Sequence, residues 1–159
     1  MGEKKYETLI KAIELVNIEL QNLTCDKNND LPSEKRSNLQ VGLNNKIVEQ
    51  LYEDLEFIAH IHFDVTVFHS AEEIEAHDEK INDDDVLFNI EFILESTYKI
   101  NIPEMNHTLE DYEEELVSFS ERNVPINTWP YAREIISSIT TRMGFPPLFI
   151  PTNKNVSPY

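Results

Sequence analysis

His60 and His62 are the side chains of this sequence most suggestive of chemistry, because they stand two positions apart. On a strand, that spacing places both imidazoles on one face, where they could bind a metal ion such as zinc. His69, His77 and Cys25 could join them only if the fold brought them close. No cysteine or carboxylate cluster has the spacing of metal ligands, so surface histidines on a solvated strand are the favoured interpretation and no metal is expected.

Two acidic runs, Asp83–Asp85 and Glu113–Glu115, raise the alternatives of a calcium site or paired catalytic carboxylates. Neither run has the alternating ligands and central glycine of a calcium loop. The three glycines, at positions 2, 42 and 144, form no phosphate-binding loop, and no Gly-x-Ser-x-Gly elbow occurs. We therefore interpret the acidic runs as solvated faces, and we expect no catalytic residues, no cofactor and no enzymatic activity.

The charge balance is strongly acidic: 13 Lys and Arg residues stand against 30 Asp and Glu residues, which gives a net charge of −17. Such a chain repels phosphate backbones and anionic lipid headgroups, so neither nucleic acid nor a membrane surface is an expected partner. It attracts basic segments of other polypeptides, although solubility alone is the plainer explanation of an acidic composition.

The length of 159 residues suits one domain with a substantial core. No apolar run approaches the roughly 18 residues that span a bilayer. The opening residues Met1–Lys5 lead into a mixed polar segment, not into the apolar stretch of a signal peptide. The single cysteine, Cys25, excludes an internal disulfide framework. These features predict a cytoplasmic protein.

Alternating apolar and polar side chains predict two long strands, over residues 55–68 and 86–100. Each has one apolar face, which is typical of an antiparallel sheet with one solvated side. The acidic segment Ala71–Asp85 between them is predicted to be a long, mobile hairpin loop. Alternation over residues 39–43 predicts a shorter strand, which follows a polar connection over residues 27–38.

The N-terminal residues 13–26 allow two interpretations. Their alternating apolar residues change parity between Leu20 and Leu23, which a β-bulge near Gln21 would reconcile. A helical start that runs into a strand is the alternative, and we favour a short N-terminal helix followed by a strand.

A first helix is predicted after residue 103, because Thr108 and Asp111 have the spacing of a capping box. Its apolar stripe comprises Leu109, Tyr112, Leu116 and Val117. A second helix is predicted with Asn127 or Thr128 as its cap and Pro130 in its first turn, ending at Gly144.

The apolar stripe of the second helix comprises Trp129, Ala132, Ile136, Ile139 and Met143. Strands followed by helices indicate an α+β domain. We therefore expect a four-stranded antiparallel sheet with the C-terminal helices packed on one face.

The segment from Pro130 to Pro151 resembles the signature region of the SecB protein-export chaperones, in which a Pro-Tyr-Ala-Arg-Glu helix precedes an Arg, a Gly and a Phe-Pro-x-Leu tail. The matching residues are Tyr131, Ala132, Arg133, Glu134, Arg142, Phe145, Pro146 and Leu148. The resemblance covers one SecB-like domain over residues 13–151. Residues 1–12 form an N-terminal extension, for which a helix is one interpretation, and residues 152–159 form a short tail.

The resemblance implies a twisted four-stranded antiparallel sheet backed by helices, assembled as a homotetramer that is a dimer of dimers. Members of the family hold non-native polypeptides in apolar grooves, without nucleotide or metal. In export they deliver these clients to the SecA motor through an acidic patch on the outer sheet face. A SecB-like branch instead protects antitoxins in toxin–antitoxin systems. The implied activity is that of an ATP-independent holdase.

The resemblance also implies two sets of site residues. The candidates for the client-binding groove are Trp129, Tyr131, Phe145, Leu148 and Phe149. Prolines at positions 146, 147 and 151 favour an extended tail there. Core packing is the alternative for Trp129 and Phe145. The candidates for SecA contact are Asn22, Asp26, Asn89 and Glu91.

Three departures from the family pattern indicate a divergent member. The usual Cys-Pro-Asn before the helix is Val124-Pro125-Ile126, and the chain ends in an unrelated sequence from Pro151 to Tyr159. The segment Ala71–Asp85 is also longer than is usual in the family. In addition, Asn22 stands where the family has an acid, which weakens the expectation of a SecA contact. Export, antitoxin protection and a specific protein-binding adaptor all remain open at this point.

Overall fold

The computed structural model describes residues 2–70, 81–102 and 108–150, which form one antiparallel sheet and three α-helices. In chain order the elements are helix α1 (Gly2–Ala12), strands β1 (Ile13–Lys27), β2 (Leu39–Glu53), β3 (Glu56–His69) and β4 (Val86–Ile100), and helices α2 (Glu113–Arg122) and α3 (Val124–Arg142). Residues 71–80 of the predicted loop, with His77, and the tail from Pro151 onward lie outside the described residues.

The sheet has the strand order β1-β4-β3-β2, and every neighbouring pair is antiparallel. Strands β3 and β4 are therefore central, while β1 and β2 are the edges. A tight turn joins β2 to β3, and in it Asp54 has a φ of 54°, a conformation that aspartate tolerates better than most residues. The helices lie on one face, which we call the inner face; the opposite face is the outer face. This architecture confirms the predicted fold class.

The core lies where the central strands meet α3. Inward side chains alternate with outward ones along the whole length of β3 and β4, and most of the inward ones are buried. Phe63 of β3 stacks on Phe92 of β4 with 5.1 Å between ring centroids, and Trp129 of α3 lies 6.3 Å from Phe63. Ala132 and Ile136 are fully buried beside them. The apolar stripe predicted for this helix is thus the one that packs on the sheet.

Helix α1 packs at one end of the molecule. Leu9 is fully buried, and the Tyr6 hydroxyl donates to the side-chain oxygen of Asn123 at 2.8 Å, between α2 and α3. The backbone N–H of Asn101 donates to the carbonyl of Ala12 at 2.9 Å, which fixes the end of α1 beside the end of β4. The chain then enters β1 directly, in agreement with the favoured interpretation of a helix followed by a strand.

The edge strands are less regular than the central ones. The pairing of β1 with β4 shifts at Val16 and again at Gln21, which confirms the bulge predicted near Gln21. Strand β2 runs well beyond the predicted residues 39–43. Its next inward position is the polar Asn45, and a bulge at Val48 then shifts the parity of the inward side chains. Alternation therefore fades in the sequence although the strand continues.

Helix α3 begins earlier than predicted. It starts at Val124, so Pro125 occupies the first turn and Pro130 lies inside the helix. The predictions that Asn127 or Thr128 caps this helix and that Pro130 belongs to its first turn are therefore wrong. The cause is that Pro125 suits the first turn equally well, because its missing N–H would have no helical partner there.

The other helix ends agree with prediction. Thr108 and Asp111 form the capping box, although the turn that they cap is a short 3-10 segment (Leu109–Tyr112) that precedes α2. Gly144 follows the end of α3 with a φ of 91°, in the left-handed region that favours glycine. No helix in the described ranges is long and apolar enough to cross a membrane.

Candidate polypeptide-binding site

The helices cover the inner face unevenly. Helix α3 lies across β3 and β4, and α2 reaches β2, where the Ser120 hydroxyl donates to the side-chain oxygen of Gln50 at 2.6 Å. Strand β1 packs mainly on its neighbour β4. As a result Leu20 of β1 is 49% exposed, while Leu94, directly opposite on β4, is 1% exposed.

The inward side chains of β1 form a continuous apolar strip, which we call the β1 strip. Its members are Ile13, Leu15, Ile18, Leu20, Leu23 and Cys25. The bulge residue Val16 adds further apolar surface and is exposed, as is Cys25. An apolar surface that the helices leave largely open is the feature that binding of unrelated apolar segments requires.

The C-terminal segment 145–150 meets the sheet at the end of β1. Phe145 stacks on Phe88 of β4 with 5.0 Å between ring centroids, and the Lys27 ammonium lies 5.1 Å from the Phe145 ring centroid. A stack on one ring and a cation–π contact hold Phe145 in place. The segment then exposes Phe149 and buries Ile150. The β1 strip and this segment therefore adjoin the same end of the sheet.

Of the five predicted groove residues, one is buried in the core and four keep accessible surface. Trp129 is 3% exposed and faces Phe63, so it is a core residue that offers no surface to a client in this structure. Tyr131 and Phe149 are exposed, at 49% and 76%. Phe145 and Leu148 are partly buried against the core. Four of the five residues are thus accessible to a client. The apolar members of the β1 strip are further candidates for client contact, which the resemblance did not supply.

The four candidates for SecA contact all lie on the outer face, on the neighbouring strands β1 and β4. Asp26 is directly opposite Asn89, Asn22 is opposite Ile93, and Glu91 is opposite Thr24. Asp26 and Asn89 line an open cleft of about 440 Å³, together with residues of the chain that enters β4. The structure therefore brings this set together.

Asn89 is the centre of a hydrogen-bond network that spans β3 and β4. Its side-chain N–H groups donate to the Asp64 carboxylate at 2.7 Å and to the Thr66 hydroxyl at 2.8 Å. The same amide donates to the backbone carbonyl of Val65 at 3.2 Å. Asp64 and Thr66 stand two positions apart on one strand, but their link to Asn89 depends on cross-strand register, which the sequence does not display.

The outer-face histidines contact carboxylates on neighbouring strands. His60 Nε2 lies 2.7 Å from Glu95 Oε2, and His60 Nδ1 lies 3.3 Å from Glu49 Oε2. His62 Nε2 lies 3.9 Å from Glu91 Oε2. Within the part of the chain that the structure describes, no group of three or more histidine, cysteine or carboxylate side chains is arranged to hold a metal ion. The geometry is that of cross-strand polar pairs.

Comparisons with known proteins add one informative match. No protein-family model matches the sequence, and no curated protein does. Among solved structures, the SecB-like chaperone Rv1957 of Mycobacterium tuberculosis, in complex with a ChAD peptide from the HigA1 antitoxin, matches with a TM-score of 0.73 and 14% identity, over 96% of this chain and 98% of its own.

A protein of unknown function from Streptococcus agalactiae matches over 87% of this chain and 96% of its own, at 10% identity, but its TM-score of 0.36 is too low to carry an argument. The match to Rv1957 combines low identity with nearly complete coverage of both chains, and it therefore establishes a shared fold. The chain has the fold of the SecB-like chaperones, which its own residues 130–151 already resemble.

Proposed function

We propose that this protein is an ATP-independent molecular chaperone that holds non-native polypeptides on the uncovered apolar surface of its sheet. The observation that carries the proposal is the β1 strip, an apolar row on a SecB-like fold that the helices leave exposed. On the proposal, the C-terminal segment, which exposes Phe149 and contacts the sheet through Phe145, adds to this surface. On this proposal the protein works in the cytoplasm as a homotetramer, and its clients are unfolded or precursor chains.

The physical basis of such binding is apolar burial, which has no direction and scales with area. Each Å² of apolar surface removed from water contributes about 25 cal/mol, so clients need no common sequence. The net charge of −17 adds attraction for basic stretches of a client and keeps the exposed apolar surface soluble. Several copies of the surface in one oligomer raise the avidity for a long client without a new type of contact.

A direct test measures aggregation of several unrelated denatured proteins, with stoichiometric amounts of this protein and no ATP. We expect the native chain to suppress aggregation. A double variant, Phe149→Ser with Tyr131→Ser, removes two exposed aromatic side chains and is expected to bind clients roughly tenfold more weakly or worse. The matched control is Ile126→Ser, which removes a comparably exposed apolar side chain elsewhere on α3.

The outcomes of this test are distinct. Failure to protect any unfolded client rules out the holdase. If the protein fails with unfolded chains but binds one native protein tightly, the proposal is replaced by a specific protein-binding adaptor. If Ile126→Ser loses as much as the double variant, the client surface lies elsewhere on the molecule.

Antitoxin protection is a second candidate function, because the matched SecB-like chaperone was solved with an antitoxin peptide. On this candidate, a toxin–antitoxin pair encoded beside this chain supplies the client. Co-expression with that antitoxin is expected to prevent its aggregation, and deletion of the present chain to expose the cell to the toxin. An unchanged antitoxin half-life without this protein contradicts the candidate.

Delivery of clients to SecA is the third part of the proposal, and it rests on the outer-face position of Asn22, Asp26, Asn89 and Glu91. Two of these four are asparagines, and the amide of Asn89 is engaged by Asp64 and Thr66. The charge reversals Asp26→Lys and Glu91→Lys are expected to weaken binding of a SecA C-terminal tail peptide, measured by calorimetry. If the native chain does not bind the SecA peptide, export is removed from the proposal.

A further inference from the structure

A cleft lies between helices α1 and α2. Its volume is about 320 Å³, near the lower end of the roughly 300–1,000 Å³ that small-molecule sites occupy. Glu3 and Tyr6 line it from α1, and Glu114, Glu115 and Ser118 line it from α2. None of these residues belongs to the β1 strip or to the outer face of the sheet, so the cleft is separate from the candidate polypeptide-binding site.

Glu115 is the buried carboxylate of this cleft. The residue is 8% exposed, and no described residue donates a hydrogen bond to its carboxylate or forms an ion pair with it. Its carboxylate oxygens are not sealed from solvent, so they open onto the cleft that the residue lines. A carboxylate that is largely removed from water costs free energy unless a cation or a hydrogen-bond donor compensates it. Glu115 is therefore placed to bind a cation that enters the cleft.

Two basic residues at this end of the molecule are engaged elsewhere. The guanidinium of Arg122, which also lines the cleft, lies over the Tyr6 ring, 5.4 Å from its centroid. Lys5, the residue before Tyr6 on α1, donates a hydrogen bond to the backbone carbonyl of Asp111. A cation–π contact and a backbone hydrogen bond thus hold these two cations, and neither is paired with Glu115.

The charges of the cleft favour an organic dication over a metal ion. The described residues that line it carry three carboxylates, on Glu3, Glu114 and Glu115, against the one guanidinium of Arg122, which leaves a balance of −2. Within the described part of the chain, these carboxylates do not form a group arranged to hold a metal ion. Because they lie on two helices, a molecule with two separated ammonium groups can contact both, with its methylene chain along Tyr6.

We propose that the cleft between α1 and α2 binds a short alkyl diamine, with one ammonium group paired with Glu115 and the other with Glu3. An ammonium group donates three hydrogen bonds, and the Glu115 carboxylate and the Ser118 hydroxyl are acceptors for them. A bound diamine links the two helices and so stabilises the docking of α1. The site is independent of the proposed function, because a chain that protects no client can still bind the diamine here.

Calorimetry with 1,4-diaminobutane tests the site directly, at about 0.15 M salt to screen general attraction to the acidic chain. One diamine is expected to bind per chain, and Glu115→Gln is expected to weaken binding at least about tenfold. The matched control is Glu113→Gln, which lies in the same first turn of α2 but does not line the cleft, and its affinity is expected to be unchanged. A native chain that does not bind, or equal losses in the two variants, overturns the proposal.

Two further probes identify the ligand class. Nα-acetyl-lysine amide has a single side-chain ammonium group and reaches only one helix, so it is expected to bind at least about tenfold more weakly than the diamine. Equal binding of the two probes assigns the site to a lysine side chain of another polypeptide and overturns the diamine. Displacement of the diamine by the same concentration of Mg²⁺ shows general attraction to the net charge of −17, which also overturns the proposal.

Thermal unfolding gives an independent readout. Without ligand, Glu115→Gln removes a buried, uncompensated charge and is expected to unfold at a higher temperature than Glu113→Gln, which shares the loss of a charge near the helix N-terminus. Excess diaminobutane is expected to raise the unfolding midpoint of the native chain by roughly 2–5 °C and to leave that of Glu115→Gln unchanged. A lower midpoint for Glu115→Gln than for Glu113→Gln means that the carboxylate is already compensated in the free protein, and it overturns the proposal.

Discussion

Strands β1 and β4 lie side by side along their full lengths and share one pattern of apolar side chains, yet they differ in burial. Leu94 of β4 is buried, while Leu20, its direct partner on β1, is half exposed. Strand β4 is paired on both sides and lies under the helical layer, whereas β1 is an edge strand that is paired on one side and packs mainly on β4. The apolar side chains of β1 are therefore not needed to close the core of a single chain, and they are free to contact something else.

The largest expected effect contrasts a central residue with an edge residue. Phe63→Ala removes a ring that stacks on Phe92 and lies at a tilt beside Trp129, and is expected to lower the free energy of unfolding by about 3–5 kcal/mol. Leu20→Ala is expected to cost less than about 1 kcal/mol, because much of that side chain is already in water. Urea denaturation of both variants measures the contrast, and equal losses would mean that the β1 strip is packed.

The outer face offers the same contrast between polar residues. Asn89→Ala leaves the Asp64 carboxylate and the Thr66 hydroxyl without their amide donor and is expected to cost roughly 1–3 kcal/mol. Asn22→Ala, on the exposed edge strand, is expected to change stability by less than about 0.5 kcal/mol. A small cost at Asn89, measured in the same denaturant series, would show that water replaces the network without loss.

The sequence predicted the centre of the molecule better than its edges. Strands β3 and β4 begin and end within about one residue of the alternating segments, because one face of each is buried along its whole length and period-two patterning follows from that burial. On β2, where the helices cover less, Asn45 can face inward at little cost, and the pattern stops before the strand does.

The boundaries of the helices were harder to predict from the sequence than their apolar faces. The apolar stripe of α3 was evident, since Trp129, Ala132 and Ile136 recur at helical spacing and all three are buried. The start of α3 was not evident, because the chain has prolines at both 125 and 130 and either one suits the first turn of a helix. Gly144 was predictable, because a left-handed terminus has a strong preference for one residue type.

Only the part of the candidate site formed by residues close together in the sequence could be predicted. The exposed aromatic residues of the C-terminal segment, such as Phe149, follow from residues 130–151 alone. The exposure of Leu20 could not be predicted in this way, because it depends on how far across the sheet α3 reaches. A buried strand has the same sequence pattern. The network of Asn89, Asp64 and Thr66 likewise depends on register between strands that are more than 20 residues apart in the chain.

The smallest expected effect is a pH dependence that compares a central tyrosine with an edge tyrosine. Burial raises the pKa of Tyr98 above its ordinary value of 10.0, and the Asn127 amide, which donates to the Tyr98 hydroxyl oxygen at 3.1 Å, offsets part of that rise. The unfolded chain therefore releases this proton first as the pH increases. The stabilisation is complete below about pH 10 and falls as the pH rises toward the folded pKa, by at most about 1.4 kcal/mol per pH unit.

Tyr98→Phe removes this titration, so its free energy of unfolding should decline less than that of the native chain between pH 9 and pH 11. Tyr52→Phe is the matched comparison, because Tyr52 lies in the same cross-strand row but on the edge strand β2. The pKa of Tyr52 is also raised, by desolvation and then by Glu113 and Glu110, but its partial exposure should make the flattening smaller. If Tyr52→Phe flattens the alkaline decline as much as Tyr98→Phe, the edge of the sheet is as well shielded from water as its centre.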